Sequence, residues 1–97
     1  PLGCLHLIKS VLLSLKGKRA IVVGASLLVG RPMALLLSFE GATVTQARSY
    51  TLDLAEECRR ADILVSAVGK PGIITAAHVK PDAIVIDVGI TRAKQAD

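Results

Sequence analysis

Apolar side chains at Leu5, Ile8, Leu12 and Leu15 recur at helical spacing, and Lys16-Gly17-Lys18 closes the pattern with basic residues around a glycine suited to a helix C-cap. The spacing predicts a helix from Leu5 to Leu15. Arg19 to Val23 is a short β-branched run that stops on Gly24, and a second helical period runs from Arg31 to Glu40, with Pro32 near its start and Gly41 just beyond its end. Strand, turn and helix then recur. Thr43 to Gln46 reads as a strand, Leu52 to Arg60 as a helix with Leu54, Ala55 and Cys58 on one face, and Asp62 to Val68 as a buried strand. A short helical turn near Thr75 to Val79 leads to a last strand from Ala83 to Val88, apolar except for Asp87. Four strands separated by helical segments, with apolar runs rather than strict alternation, describe a parallel sheet covered on both faces. The expected fold is therefore α/β, a doubly wound, Rossmann-like parallel sheet of strand order 2-1-3-4 in a single domain.

Composition narrows the class. The 97 residues suffice for one domain, and with Phe39 and Tyr50 as the only aromatics its core must be aliphatic. The net charge of +4 suits an anionic ligand, but the basic residues are scattered and lack the aromatics that would stack bases, so no nucleic-acid partner is expected. The apolar stretches around Ala20 to Val29 and Met33 to Leu37 fall short of the roughly 18 residues of a membrane span, and no secretory signal is visible. Cys4 and Cys58 lack metal or redox spacing and read as reduced, buried thiols, which points to the cytoplasm. His6 and His78 read as incidental, and no metal site is expected. A chain that begins at Pro1 is expected to have lost its natural start.

The chemistry concentrates where the first strand turns into the second helix, Val22-Val23-Gly24-Ala25-Ser26-Leu27-Leu28-Val29-Gly30-Arg31-Pro32. Gly24 permits a tight turn, small Ser26 lets backbone and hydroxyl approach phosphates, and Gly30 lets the helix begin close to the sheet with its N–H groups free. Arg31 adds positive charge. The spacing departs from GxGxxG, and Arg31-Pro32 lacks the lysine and hydroxyl of a triphosphate loop. A tight turn without a ligand is the alternative.

Dinucleotide domains commonly carry an acid about 20 residues past the first glycine to bind the ribose 2′-hydroxyl. Here Gln46-Ala47-Arg48-Ser49 offers a guanidinium and a hydroxyl instead, the arrangement suited to a 2′-phosphate, unless Arg48 is a solvated loop residue. Two later strands also stop on glycine, at Gly69 and Gly89, and such ends converge on the crevice at the carboxyl edge of a parallel sheet. Lys70 reads as an exposed turn residue, and Asp87 as a satisfied polar residue near a strand end. No residue of this chain stands out as catalytic.

These residues resemble the nucleotide-binding domain of the bifunctional methylenetetrahydrofolate dehydrogenase/methenyltetrahydrofolate cyclohydrolase family. The resemblance rests on Pro1-Leu2-Gly3, on Gly24-Ala25-Ser26 with Val29-Gly30-Arg31-Pro32-Met33, on Ala61-Asp62-Ile63-Leu64 through Gly69-Lys70-Pro71, and on Val85-Ile86-Asp87-Val88-Gly89-Ile90. It implies that residues 1–97 form an NAD(P)-binding domain, with Gly24, Ala25 and Ser26 on the cofactor's diphosphate and adenosine side. Ser49 would then meet the adenosine phosphate or ribose, and Gly69 and Ile90 the nicotinamide half. The implied cofactor is NADP, with NAD the alternative because Ala25 replaces an arginine common in relatives. Thr91 replaces the asparagine usual before Arg92. The implied parent is a homodimer of one-carbon folate metabolism, serving purine biosynthesis, that oxidises methylenetetrahydrofolate and hydrolyses the product. Its catalytic lysine and neighbouring tyrosine lie in an N-terminal folate domain, and a Pro-Gly-Gly-Val-Gly-Pro segment lies C-terminal to the present residues. By that implication the chain alone is inactive. The competing readings are a non-catalytic nucleotide-binding or dimerisation module and the cofactor domain of another dehydrogenase.

Overall fold

Each central strand is a run of β-branched and aliphatic residues with no polar face, so it can only be stable between two covering layers. The computed structural model, which describes residues 2–11, 14–24, 30–67 and 74–87, provides both layers. In chain order the elements are α1 (Leu2–Val11), β1 (Arg19–Val23), α2 (Gly30–Phe39), β2 (Thr43–Ala47), α3 (Leu54–Arg59), β3 (Ile63–Ser66), a 3-10 turn (Ala76–His78) and β4 (Ile84–Asp87). The strands form one parallel sheet of order β2-β1-β3-β4, as the pattern predicts. Leu5, Ile8, Met33 and Leu37 of α1 and α2 pack on Ala20, Val22, Ile63 and Val65. The opposite face places Leu54 and Cys58 of α3 on Ile21, Val23, Ala47 and Leu64. The sheet is thus doubly wound. No helix among the described residues is long and apolar enough to cross a membrane.

The outer strands differ from the expectation of uniform burial. On β4 Val85 and Asp87 are exposed while Ile84 and Ile86 are half-buried, because β4 ends the sheet and is covered on one face only. Asp87, the last residue of β4, pairs with Ser66 of β3 and turns an exposed, solvated side chain outward. The first helix is also displaced: it begins at Leu2, and Ser14 and Leu15 lie outside it. Leu15 is nevertheless buried, filling its core position from the connection. Gly17 does not cap α1. Its φ of +76° belongs to the turn into β1, where Lys18 N–H donates to the Leu15 carbonyl at 3.1 Å and Gly17 N–H to that of Gly41, also at 3.1 Å.

The amino-terminal edge of the sheet is latched by Asp62. Its Oδ2 accepts from Arg19 N–H at 2.9 Å and its Oδ1 from the Lys80 ammonium at 2.5 Å. Asp62 N–H donates to the Arg19 carbonyl, and the Asp62 carbonyl accepts from Ile84 N–H, so one residue joins the starts of β1, β3 and β4. His78 is structural rather than incidental. Its Nδ1 accepts from Thr75 N–H at 3.1 Å, while Thr75 Oγ1 accepts from Ala77 N–H, a capping box that fixes the turn before β4.

Candidate functional site at the carboxyl edge

Parallel pairing in register brings the last strand residues to one edge in the spatial order Ala47, Val23, Ser66 and Asp87. The chain passes from β1 outward to β2 and then back across β1 to β3, with α2 and α3 on opposite faces, so this edge contains the point where the winding reverses. Crevices for ligands form at such points in open α/β sheets.

Gly24 leaves β1 with φ +103°, a conformation L side chains rarely adopt, and its N–H donates to the Ala47 carbonyl at 2.7 Å. The turn is thereby tied to the end of β2. Across residues 25–29, α2 begins at Gly30, which is buried, while Arg31 is exposed and Pro32 half-buried. Proline costs no hydrogen bond there, because first-turn N–H groups have no intrahelical acceptor. No acid stands in that first turn to compete for its positive end.

At the end of β2, Arg48 is half-buried and Ser49 exposed. Arg48 N–H donates to Thr51 Oγ1 at 2.7 Å and Thr51 N–H to the Arg48 carbonyl at 3.0 Å, closing a four-residue turn with Ser49 and Tyr50 at its tip. The carboxylates of Glu40, Glu56, Glu57 and Asp62 engage Lys9, Arg59, Arg60 and Lys80 respectively, leaving the guanidiniums of Arg31 and Arg48 without an acidic partner among the described residues. Both cations are therefore available to an anion. Ala25, Ser26, Val29, Gly69, Lys70, Gly89 and Ile90 lie outside the described residues. Among the described residues no three His, Cys, Asp or Glu side chains come together as a metal site.

Sequence reasoning did not single out Tyr50, Thr51 or Ser66. Ser66 is buried at the end of β3, and the hydroxyl closing the apolar run Ile63–Val65 was its only signal. A shallow groove between α2 and β2, lined by Arg31, Ala34, Leu35, Ser38, Val44 and Gln46, flanks the site along the outer edge of the sheet.

Fold and edge geometry define a Rossmann-like α/β domain of the kind that holds dinucleotides in dehydrogenases. The chain belongs to the tetrahydrofolate dehydrogenase/cyclohydrolase family, whose NAD(P)-binding domain model matches residues 1–97. The bifunctional protein FolD of Rhodospirillum centenum is 56% identical over 97 residues, covering all of this chain and 32% of that protein. Among solved structures, the bifunctional FolD dehydrogenase/cyclohydrolase of Campylobacter jejuni superposes with a TM-score of 0.88 at 41% identity, covering all of this chain and 34% of that one. The Trypanosoma brucei enzyme, solved in complex with NADP and an inhibitor, gives 0.83 at 41% identity over 89% of this chain and 30% of that one. The chain thus spans about a third of the length of the relatives it matches.

Proposed function

We propose that residues 1–97 are the NADP-binding domain of a bifunctional methylenetetrahydrofolate dehydrogenase/methenyltetrahydrofolate cyclohydrolase. The observation that carries this reading is the junction of β1 with α2: Gly24 at φ +103° is bonded to the end of β2, and a buried Gly30 opens the next helix without a first-turn acid. Such a junction fits a diphosphate between backbone N–H groups. In this assignment Gly24, Ala25, Ser26, Val29, Gly30, Arg31 and Pro32 hold the diphosphate. Arg48 and Ser49 hold the 2′-phosphate, and Gly69, Gly89 and Ile90 border the nicotinamide. The nicotinamide supplies the hydride acceptor, and this chain's residues hold and orient it.

The parent reactions are oxidation of methylenetetrahydrofolate to methenyltetrahydrofolate and hydrolysis to formyltetrahydrofolate, in the cytoplasm, with folate bound by the remainder of the parent. A second copy of the chain is the further partner. The outer edge of β2 and the exposed Leu35 and Phe39 of α2 favour a two-fold contact there, in which the same residues meet their counterparts.

Titration of NADP and NAD against this chain and its Arg48→Ala variant tests the assignment. A charge-assisted contact to the 2′-phosphate is worth about 1.5–3 kcal/mol, so the variant should lose roughly tenfold to a hundredfold in NADP affinity with NAD nearly unchanged. Equal losses for the two cofactors would remove Arg48 from the 2′-phosphate.

A further inference from the structure

The turn that follows β2 carries more apolar surface than a solvated loop needs. Tyr50 is 79% exposed and Leu52 is 87% exposed, the latter more than any other large hydrophobic among the described residues. Nothing within the described fold covers them. They are not on a loosely tethered segment: the turn is closed from both sides by Arg48 and Thr51, and Asp53, at φ +53°, redirects the chain into α3 directly after Leu52. Its position is equally constrained. The turn starts one residue after Ala47, whose carbonyl holds the Gly24 N–H, so its tip stands beside the carboxyl edge and shares it with Ser49.

A dinucleotide lying along that edge, with its diphosphate at the β1–α2 junction and its 2′-phosphate at Arg48 and Ser49, has one flat apolar group left to place on this side. That group is the adenine base. A phenol ring is suited to it, because its face stacks on any base while its hydroxyl stays in water. We infer that Tyr50, flanked by Leu52, is the stacking surface for the adenine of the bound dinucleotide. This inference rests on the dinucleotide reading above.

The sequence contains one tyrosine and no tryptophan, so Tyr50 emission is an isolated reporter of its own contact. The probes are adenosine 2′,5′-bisphosphate, which carries adenine and the 2′-phosphate but no nicotinamide, and inorganic pyrophosphate, which carries no base. After correction for nucleotide absorption, the bisphosphate should quench Tyr50 and pyrophosphate should not. By calorimetry, Tyr50→Ala should weaken NADP and the bisphosphate by the same factor, about fivefold to fiftyfold, with Tyr50→Phe within about twofold of the original chain. Circular dichroism checks that each variant is folded. If Tyr50→Ala binds both nucleotides as tightly as the original chain, the base lies elsewhere and the dinucleotide reading survives alone. If the original chain binds neither NADP nor the bisphosphate, both readings fall.

Discussion

Asp62 illustrates how much one side chain can organise in a small parallel sheet. The Lys80 ammonium, and after it the Arg19 N–H, hold its carboxyl below the ordinary carboxylate range. A folded-state value below the unfolded one means that the native form binds fewer protons, so stabilisation is complete above the unfolded value of about 3.9 and disappears as the pH falls through the lower folded value. The side chains of Asp62 and Lys80 are 31% and 37% exposed, so solvent weakens the pair. We therefore expect Asp62→Asn to cost only about 1 kcal/mol at pH 7, chiefly through the loss of charge on the two hydrogen bonds. Urea unfolding of both proteins across pH 2 to 7 reads this directly: the gap between them should close towards the acid end. A gap of constant size would mean that side-chain shape, not charge, matters at this position.

Among the elements, α3 carries a contact that responds to alkaline pH. Cys58 is 1% exposed against the sheet, and burial, with the Glu57 carboxylate second, raises its thiol from 9.0 to about 11. Here the sign is reversed: the folded state keeps a proton that the unfolded chain releases, so stability falls as pH rises from about 9 to 11. The loss is on the order of 3 kcal/mol. Cys58→Ala should show a shallower alkaline decline in unfolding free energy than the original chain, and Cys58 should resist thiol reagents until the protein unfolds. Matching declines would place the alkaline transition elsewhere. How far each element was legible follows from similar physics. β1 and β3 lie between two covering layers, so their apolar runs were unambiguous and β1 matches residue for residue. The α1 pattern misled because Leu15 satisfies the core without being helical, and apolar spacing records burial rather than backbone. α3 starts later than Leu52 because Asp53 adopts a left-handed backbone, which no periodicity announces. At the site, Gly24 was legible because its positive φ is a demand glycine meets most readily. The Arg48–Thr51 turn was not, since a hydroxyl closing on a backbone N–H leaves no repeat in the sequence. His78 did leave a trace, a Thr-x-x-His spacing with the offset of a capping box.

At the scale of the whole molecule, the chain spans about a third of the length of its relatives, and the groups proposed for its site are ones that would bind and orient rather than transfer protons. The pure 97-residue chain should therefore bind NADP yet oxidise no methylenetetrahydrofolate, followed as absorbance of the reduced cofactor; measurable turnover would place catalytic groups within these residues. The self-association proposed above would use a different surface of the same domain. β2 ends the sheet, so its outer N–H and C=O groups face away from any strand among the described residues, and α2 beside it leaves Leu35 59% and Phe39 78% exposed. Unpaired strand edges flanked by apolar residues tend to pair with another chain. A two-fold axis across that edge would place each α2 near its counterpart and bury both side chains twice. Leu35→Glu with Phe39→Glu would then put four carboxylates into the contact, at a cost of several kcal/mol for like charges brought together. Sedimentation velocity should give a dimer for the original chain and a monomer for the double variant, with NADP affinity retained because neither residue belongs to the proposed cofactor site. A double variant that still sediments as a dimer would move the interface away from α2 and β2, and an original chain that stays monomeric at high micromolar concentration would remove this surface as a self-association site.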